Sequence, residues 1–97
     1  MKPTINQIAE VTKLRGGHYF DRETLRFFGQ TLRSFKVCLT PKGRICFYAP
    51  SYWYIDGRRT LMGYSVGFYS PEIGYESTEN HDRFHSKKEV LEFIANN

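Results

Sequence analysis

Cys38 and Cys46 are the two thiols of the chain, and they fall on either side of a short Pro41-Lys42-Gly43 turn. If that turn closes a hairpin with Thr40 opposite Arg44, the two cysteines face each other across the strands. Theirs is then a wide, hydrogen-bonded pair with Cα atoms about 5.5 Å apart, which is within disulfide reach. Small half-buried thiols are the plainer reading, and two cysteines make no disulfide framework, so a reduced, cytoplasmic protein is expected. His81 and His85 are four residues apart, with Glu76, Glu79 and Asp82 nearby and His18 far away. A functional metal needs deprotonated, convergent ligands, and this spacing crosses a loop–helix boundary, so no metal and no cofactor are expected. No nucleophile–base pattern, nucleophile elbow or phosphate-binding glycine loop occurs, so the chain reads as a non-enzyme.

The other candidates for chemistry are aromatic rings interleaved with cations. "SYWYIDGRR", Ser51 to Arg59, sets three rings in a row before an Asp-Gly turn and two arginines. Tyr52, Trp53, Tyr54, Arg58 and Arg59 sit on this ribbon. Lys36, Arg44, Tyr48 and Tyr69 are expected on the adjoining sheet face. Rings beside cations suit single-stranded nucleic acid, by stacking and phosphate contact. The same residue types are common hot spots of protein interfaces. A third reading buries the rings beneath the N-terminal helix as a second core.

Three kinds of element must position these residues. Thr4 and Gln7 have capping-box spacing ahead of "INQIAEVTKL", with Gly16-Gly17 as a stop, so residues 1–16 form an N-terminal helical segment. Its apolar residues spread too widely to define one face. A second helix is expected over residues 21–35. Asp21 is its N-cap, Phe20 and Leu25 form a staple, and Leu25, Phe28, Leu32 and Phe35 make a buried stripe. Arg22, Arg26 and Arg33 then form a secondary basic stripe on a neighbouring face. Gly29 in mid-helix costs about 1 kcal/mol relative to alanine.

Residues 35–69 read as a three-stranded antiparallel meander. The first turn puts Val37, Leu39, Ile45, Phe47 and Ala49 on the core face, with Lys36, Cys38, Arg44, Cys46 and Tyr48 opposite. Asp56-Gly57 is a type I′ signal that places Ile55 opposite Arg58. Continued without a slip, it pairs Ala49 with Tyr64, Phe47 with Val66 and Ile45 with Phe68. Both turns thereby assign the same core face to the middle strand. Past Pro50 the ribbon overhangs the sheet, and the open edges of strands one and three offer pairing to a second copy. "SPEIGYESTENHDRFH" reads as an acidic, turn-rich loop. Ser86 to Glu89 then caps a final helix over residues 86–96. The expected fold is α+β, one domain of order α-α-βββ-α, with helices packed against the sheet.

The chain has 97 residues and a net charge of +4, unevenly spread. Residues 1–70 carry eleven basic and four acidic groups, a net of +7; residues 71–97 carry three and six, a net of −3. A basic front attracts polyanions. No apolar run is long enough for a membrane span.

"GHYFDRETLRFFGQTL", Gly17 to Leu32, resembles the opening signature of a group of small bacteriophage and prophage proteins, G-H-[FY]-F-x-x-[ED]-T-[LM]-[KR]-F-F. Gly17, His18, Tyr19, Phe20, Glu23, Thr24, Leu25, Arg26, Phe27 and Phe28 carry the match. The resemblance implies a phage or mobile-element origin, and with it the host cytoplasm, but no activity. The tail "RFHSKKEVLEFIAN" is similar to the last helix of small βββα modules such as the arm-site DNA-binding domains of phage integrases, through Phe84, Ser86, Lys87, Lys88 and Glu89. Those modules insert their sheet into the DNA major groove. The acidic stretch from Pro71 to Asp82 departs from that pattern. The expectation is therefore an accessory protein that binds nucleic acid through the sheet face and ribbon. The alternative is an anti-CRISPR-like inhibitor of a host enzyme or defence complex.

Overall fold

The computed structural model describes residues 2–70 and 84–97 and the backbone of 74–79. Its elements are α1 (Ile5–Leu14), α2 (Arg22–Phe27), a 3-10 turn (Leu32–Ser34), β1 (Lys36–Leu39), β2 (Ile45–Ile55), β3 (Arg58–Ser70), β4 (Gly74–Glu79) and α3 (Lys87–Ala95). The class is α+β, and the meander is present, antiparallel throughout. A fourth strand extends it, giving the order β1-β2-β3-β4. The stretch read as a wholly irregular acidic loop thus contains β4, which occupies the edge of β3 that had been taken as open. At the other edge, the Lys2 ammonium donates to the outward carbonyl of Val37 at 2.7 Å. A charged group from outside the sheet that occupies an edge carbonyl discourages further pairing there.

The caps act largely as their residues require. Thr4 and Gln7 close the capping box of α1. Ser86 Oγ accepts from the Glu89 N–H at the start of α3. Thr12 explains why α1 shows no clear apolar stripe: it is buried below Ile8 and donates its hydroxyl to the Ile8 carbonyl at 2.8 Å. A threonine that satisfies itself on the preceding turn can occupy an apolar position.

The helix expected over 21–35 is instead six residues long. Gly29 adopts φ +64°, outside helical space, and the chain turns there. Asp21 sits at the N-cap position, yet its carboxylate contacts the His18 ring at 2.6 Å rather than the helix backbone. Three of the four stripe residues still reach one core, while Phe28 is half-buried against Phe27 instead. Leu25 and Phe35 are buried and Leu32 packs against them, but they arrive there from a helix, a 3-10 turn and a strand entry.

The first hairpin has the register that its turn dictates, with Lys36↔Tyr48, Val37↔Phe47, Cys38↔Cys46 and Leu39↔Ile45. The second begins as expected, Ile55↔Arg58 through Tyr52↔Leu61, and then slips by one residue. Met62 is the extra residue of a β-bulge, so Ser51 faces Gly63 and Ala49 faces Ser65, Phe47 faces Gly67, and Ile45 faces Tyr69. A one-residue slip exchanges the faces of every later side chain on the strand. Val66 and Phe68 therefore join Cys46 and Tyr48, and Tyr69 joins Ile45 and Phe47.

That exchange creates two cores. On one face Phe47, Ala49, Leu25, Phe35 and Ile8 pack beneath α1 and α2. The Phe47 ring, fully enclosed, lies 5.2–6.1 Å from the rings of Phe20, Tyr19 and Phe35. Burying such a ring contributes about 1.5–3 kcal/mol, and each aromatic pair adds roughly 0.5–1.5. On the other face Cys46, Tyr48, Val66 and Phe68 pack against Phe84, Val90 and Ile94 of the C-terminal segment and α3. The sheet face expected to be open is covered.

Gln30 links the α2 turn to the bulged region. Its buried side-chain amide donates to the Pro50 carbonyl at 3.0 Å and to Ser65 Oγ at 3.2 Å. Gln30→Leu keeps the volume and strands the acceptors, so we expect a loss of about 1–3 kcal/mol. The measurement is the denaturant midpoint, which should fall with the slope unchanged.

Candidate nucleic-acid interface

The residues proposed from sequence as one surface fall in five places. Tyr48 is buried in the α3-side core, and Tyr69 packs on the α1/α2 side, because the bulge moved it to the other face. Arg44 lies with its guanidinium 3.7 Å from the Phe68 ring centre, and Lys36 is exposed at the start of β1. None of these four forms a continuous open surface with the ribbon. The remaining residues, on the ribbon, lie beside α2.

The ribbon is braced more than the sequence implied. The Tyr52 N–H donates to the Phe28 carbonyl at 2.8 Å, so the turn after α2 occupies the β2 edge beyond the end of β1. Arg59 donates to the Gly29 carbonyl at 2.8 Å while its guanidinium stacks 3.8 Å from the Tyr52 ring centre. Arg59 is thus an anchor as well as a charge. Register places Tyr52, Tyr54, Arg59 and Leu61 on one ribbon face, and Trp53, Ile55, Arg58 and Thr60 on the other.

Between α2 and the first of these faces lies an open cleft of about 1040 Å³. Arg22 and Arg26, one helical turn apart, line one side. Tyr54 and Arg59 line the other, with Phe20, Leu25 and Leu32 among the apolar lining. Tyr54 is 71% exposed. Among the described residues neither Arg22 nor Arg26 pairs with a carboxylate. Arg33, the third member of the basic stripe, sits in the 3-10 turn and does not line the cleft, because Gly29 breaks the helix that would have aligned it. Sequence reasoning missed the cleft for the same reason. The left-handed turn at Gly29 brings α2 beside the ribbon, and no short-range pattern signals it.

Across the other ribbon face, the Phe27 ring meets Trp53 edge-on at 6.5 Å. Phe27, Trp53, Ile55 and Leu61 are exposed large apolar residues, distributed over both ribbon faces and the end of α2.

The thiols sit elsewhere, between β1 and α3. Cys46 is fully enclosed, Cys38 is half-buried, and both are free. The hydrogen bond from Cys46 brings the Cys38 thiol down from 9.0 to about 7, burial opposing and the Lys2 charge assisting. Donating that bond, together with burial and the Cys38 charge, pushes Cys46 up, with Arg44 opposing. Burial chiefly, then the neighbouring thiols and Tyr64, pushes the Tyr48 phenol up. The pair sets a pH dependence. Between about 7 and 9 the native Cys38 has lost a proton that the unfolded chain still binds, so stability rises with pH. Above about 9 the native Cys46 keeps a proton that the unfolded chain has lost, so stability falls again. Denaturation midpoints across this range should show that maximum, and Cys38→Ser should flatten it.

His81 and the acidic side chains near it lie outside the described residues. Among the described residues, no three His, Cys, Asp or Glu side chains gather as a metal site. No helix there is long and apolar enough to cross a membrane. Comparisons with known protein families, with curated proteins and with solved structures give no match.

Proposed function

We propose that this chain is a non-catalytic, phage-type accessory protein that binds single-stranded nucleic acid in the cleft between α2 and the ribbon. The observation that supports this reading is the convergence of Arg22, Arg26 and Arg59 on one cleft whose open side carries Tyr54. Arg22 and Arg26 supply phosphate contacts. The Tyr54 ring supplies a stacking platform, which is worth about 1–3 kcal/mol per base. Arg59 holds Tyr52 and the Gly29 carbonyl, keeping the two walls at a fixed spacing. The sheet itself takes no part, since both faces are covered. Titration of a labelled oligonucleotide over a range of salt concentrations tests the reading. Affinity should fall by about 0.7 log units per decade of salt for each phosphate held. Absence of binding to DNA and RNA oligonucleotides at low salt would overturn it.

The second reading is a protein partner, a host enzyme or defence complex that this chain inhibits. The exposed Phe27–Trp53 contact favours it, because tryptophan buried at a protein interface is a frequent hot spot. One stoichiometric host protein captured from lysate, with no oligonucleotide binding, is the outcome that selects it.

A further inference from the structure

We propose that Cys38 and Cys46 form a thiol–disulfide exchange site for small disulfides, with Cys38 attacking and Cys46 resolving. Four observations support this, none of which depends on the α2–ribbon cleft. First, the cysteines are direct partners across β1 and β2. The Thr40 N–H bonds the Arg44 carbonyl, and pairing alternates along the ladder, so Cys38–Cys46 is also a hydrogen-bonded pair. Its Cα separation of about 5.5 Å suits a disulfide. Second, both side chains lie on the α3 side of the sheet, where Cys38 packs against the cluster that buries Cys46, so the two sulfurs share one face. Third, access differs: Cys46 is enclosed by the α3-side core, whereas Cys38 is only half-buried. Fourth, Lys2 adds a positive charge beside Cys38 and Arg44 adds another near Cys46, while the Tyr48 phenol, itself beside Tyr64, feels both thiols.

An attacking thiol whose pKa lies near ambient pH combines availability with nucleophilicity, the direction in which Cys38 is lowered, and redox-sensing cysteines commonly have a resolving partner alongside. In the first step the Cys38 thiolate attacks one sulfur of the small disulfide. The mixed disulfide forms, and the departing thiolate takes a proton from solvent. In the second step Cys46 attacks the Cys38 sulfur as its proton passes to the departing thiolate, which leaves as the second thiol. The protein loses two hydrogens and two electrons, and the small disulfide gains both and leaves as two thiols. The product staples β1, the edge strand, to β2.

Oxidised glutathione is the probe, applied to the full chain under native conditions and read by intact mass and peptide mapping. The wild-type protein should end two hydrogens lighter, with a Cys38–Cys46 linked peptide and no retained glutathione. Cys46→Ser should trap one glutathione on Cys38, releasable by dithiothreitol, and Cys38→Ser should remain unmodified. In the wild type, iodoacetamide should label Cys38 at least about tenfold faster than Cys46 at neutral pH. Glutathione retained on wild-type protein, equal labelling of the two thiols, or no reaction of either would overturn the proposal. The wild-type peptide map decides the matter if Cys46→Ser fails to fold.

Discussion

Reversing Arg22 and Arg26 together to glutamate is expected to lower oligonucleotide affinity by about a hundredfold at about 0.1 M salt. Each guanidinium–phosphate contact is a charge-assisted hydrogen bond worth about 1.5–3 kcal/mol. Losing two at the lower figure gives about 3 kcal/mol, and each 1.4 kcal/mol is a factor of about ten. The slope of log affinity against log salt should drop by about 1.4 as well, at roughly 0.7 per phosphate on a single strand. The fold should tolerate the change. Both residues are exposed, glutamate is a good helix former, and Arg22 opens α2, where a negative charge is favoured by the helix dipole. Exposed substitutions of this kind usually stay within about 0.5 kcal/mol. Arg33→Glu is the control, because it changes charge on the same segment without lining the cleft. A loss that tracks net charge would appear in Arg33→Glu at half the size per variant, whereas a loss belonging to the cleft would be nearly absent there. Unchanged affinity in the double variant would remove nucleic acid from the cleft. Arg59 is a poorer test, since reversing it also severs the bond to Gly29 and the stack on Tyr52.

The contrast between Arg26 and Arg33 shows what the sequence holds and what it withholds. Both hairpin turns are local devices, with Gly43 in the first and Asp56 and Gly57 in the second taking positive φ, and both registers start as their residues demand. The caps at Thr4 and Ser86 are equally local. What failed was long-range. The slip at Met62 has a local mark, since Gly63 beside it has φ +153° and a glycine inside a strand often accompanies a bulge, but the two turns alone do not reveal it. Only the slip lets Val66 and Phe68 meet α3 while Phe47 and Ala49 meet α2. Tyr48 and Tyr69, read from sequence as neighbours on one face, were separated by that single residue. The alternation of both middle strands also misled. Cys46 and Tyr48 are amphipathic enough to read as a solvent face, whereas here they line a second core. The ribbon was legible because Pro50 and the short first strand limit what can lie beside it. The partner it gained was not. Gly29 in an otherwise helical pattern looks like a tolerated defect, although it is the residue that places Arg22 and Arg26 opposite Tyr54.

Gly29→Ala therefore discriminates sharply between a helical and a left-handed glycine. In mid-helix, alanine would stabilise by about 1 kcal/mol. Here the residue has φ +64°, and an alanine Cβ would lie 2.9 Å from the Tyr52 Cβ. Holding alanine in the left-handed region costs about 1–2 kcal/mol. Carbon atoms pack at about 3.5–4.0 Å, and a Cβ cannot rotate away from a Cβ, so the backbones must part at about 1–3 kcal/mol further. Reduced freedom of the unfolded chain returns about 0.4–1 kcal/mol. The net loss is about 2–4 kcal/mol. At about 4–8 °C per kcal/mol for a chain of this size, Tm should fall by roughly 10–30 °C. Asparagine tolerates left-handed backbone but carries the same Cβ, so Gly29→Asn should retain the steric part of the loss and recover most of the conformational part. The expected order in a thermal melt is wild type, then asparagine, then alanine. Alanine at or above wild type would mean that α2 runs on through residue 29. The Phe28 carbonyl would then leave Tyr52, the Gly29 carbonyl would leave Arg59, and the cleft would lose the contacts that set its width. A folded alanine variant should accordingly bind oligonucleotide more weakly than its remaining stability explains, because the separation of Tyr52 from Gly29 also moves Tyr54 away from Arg22 and Arg26.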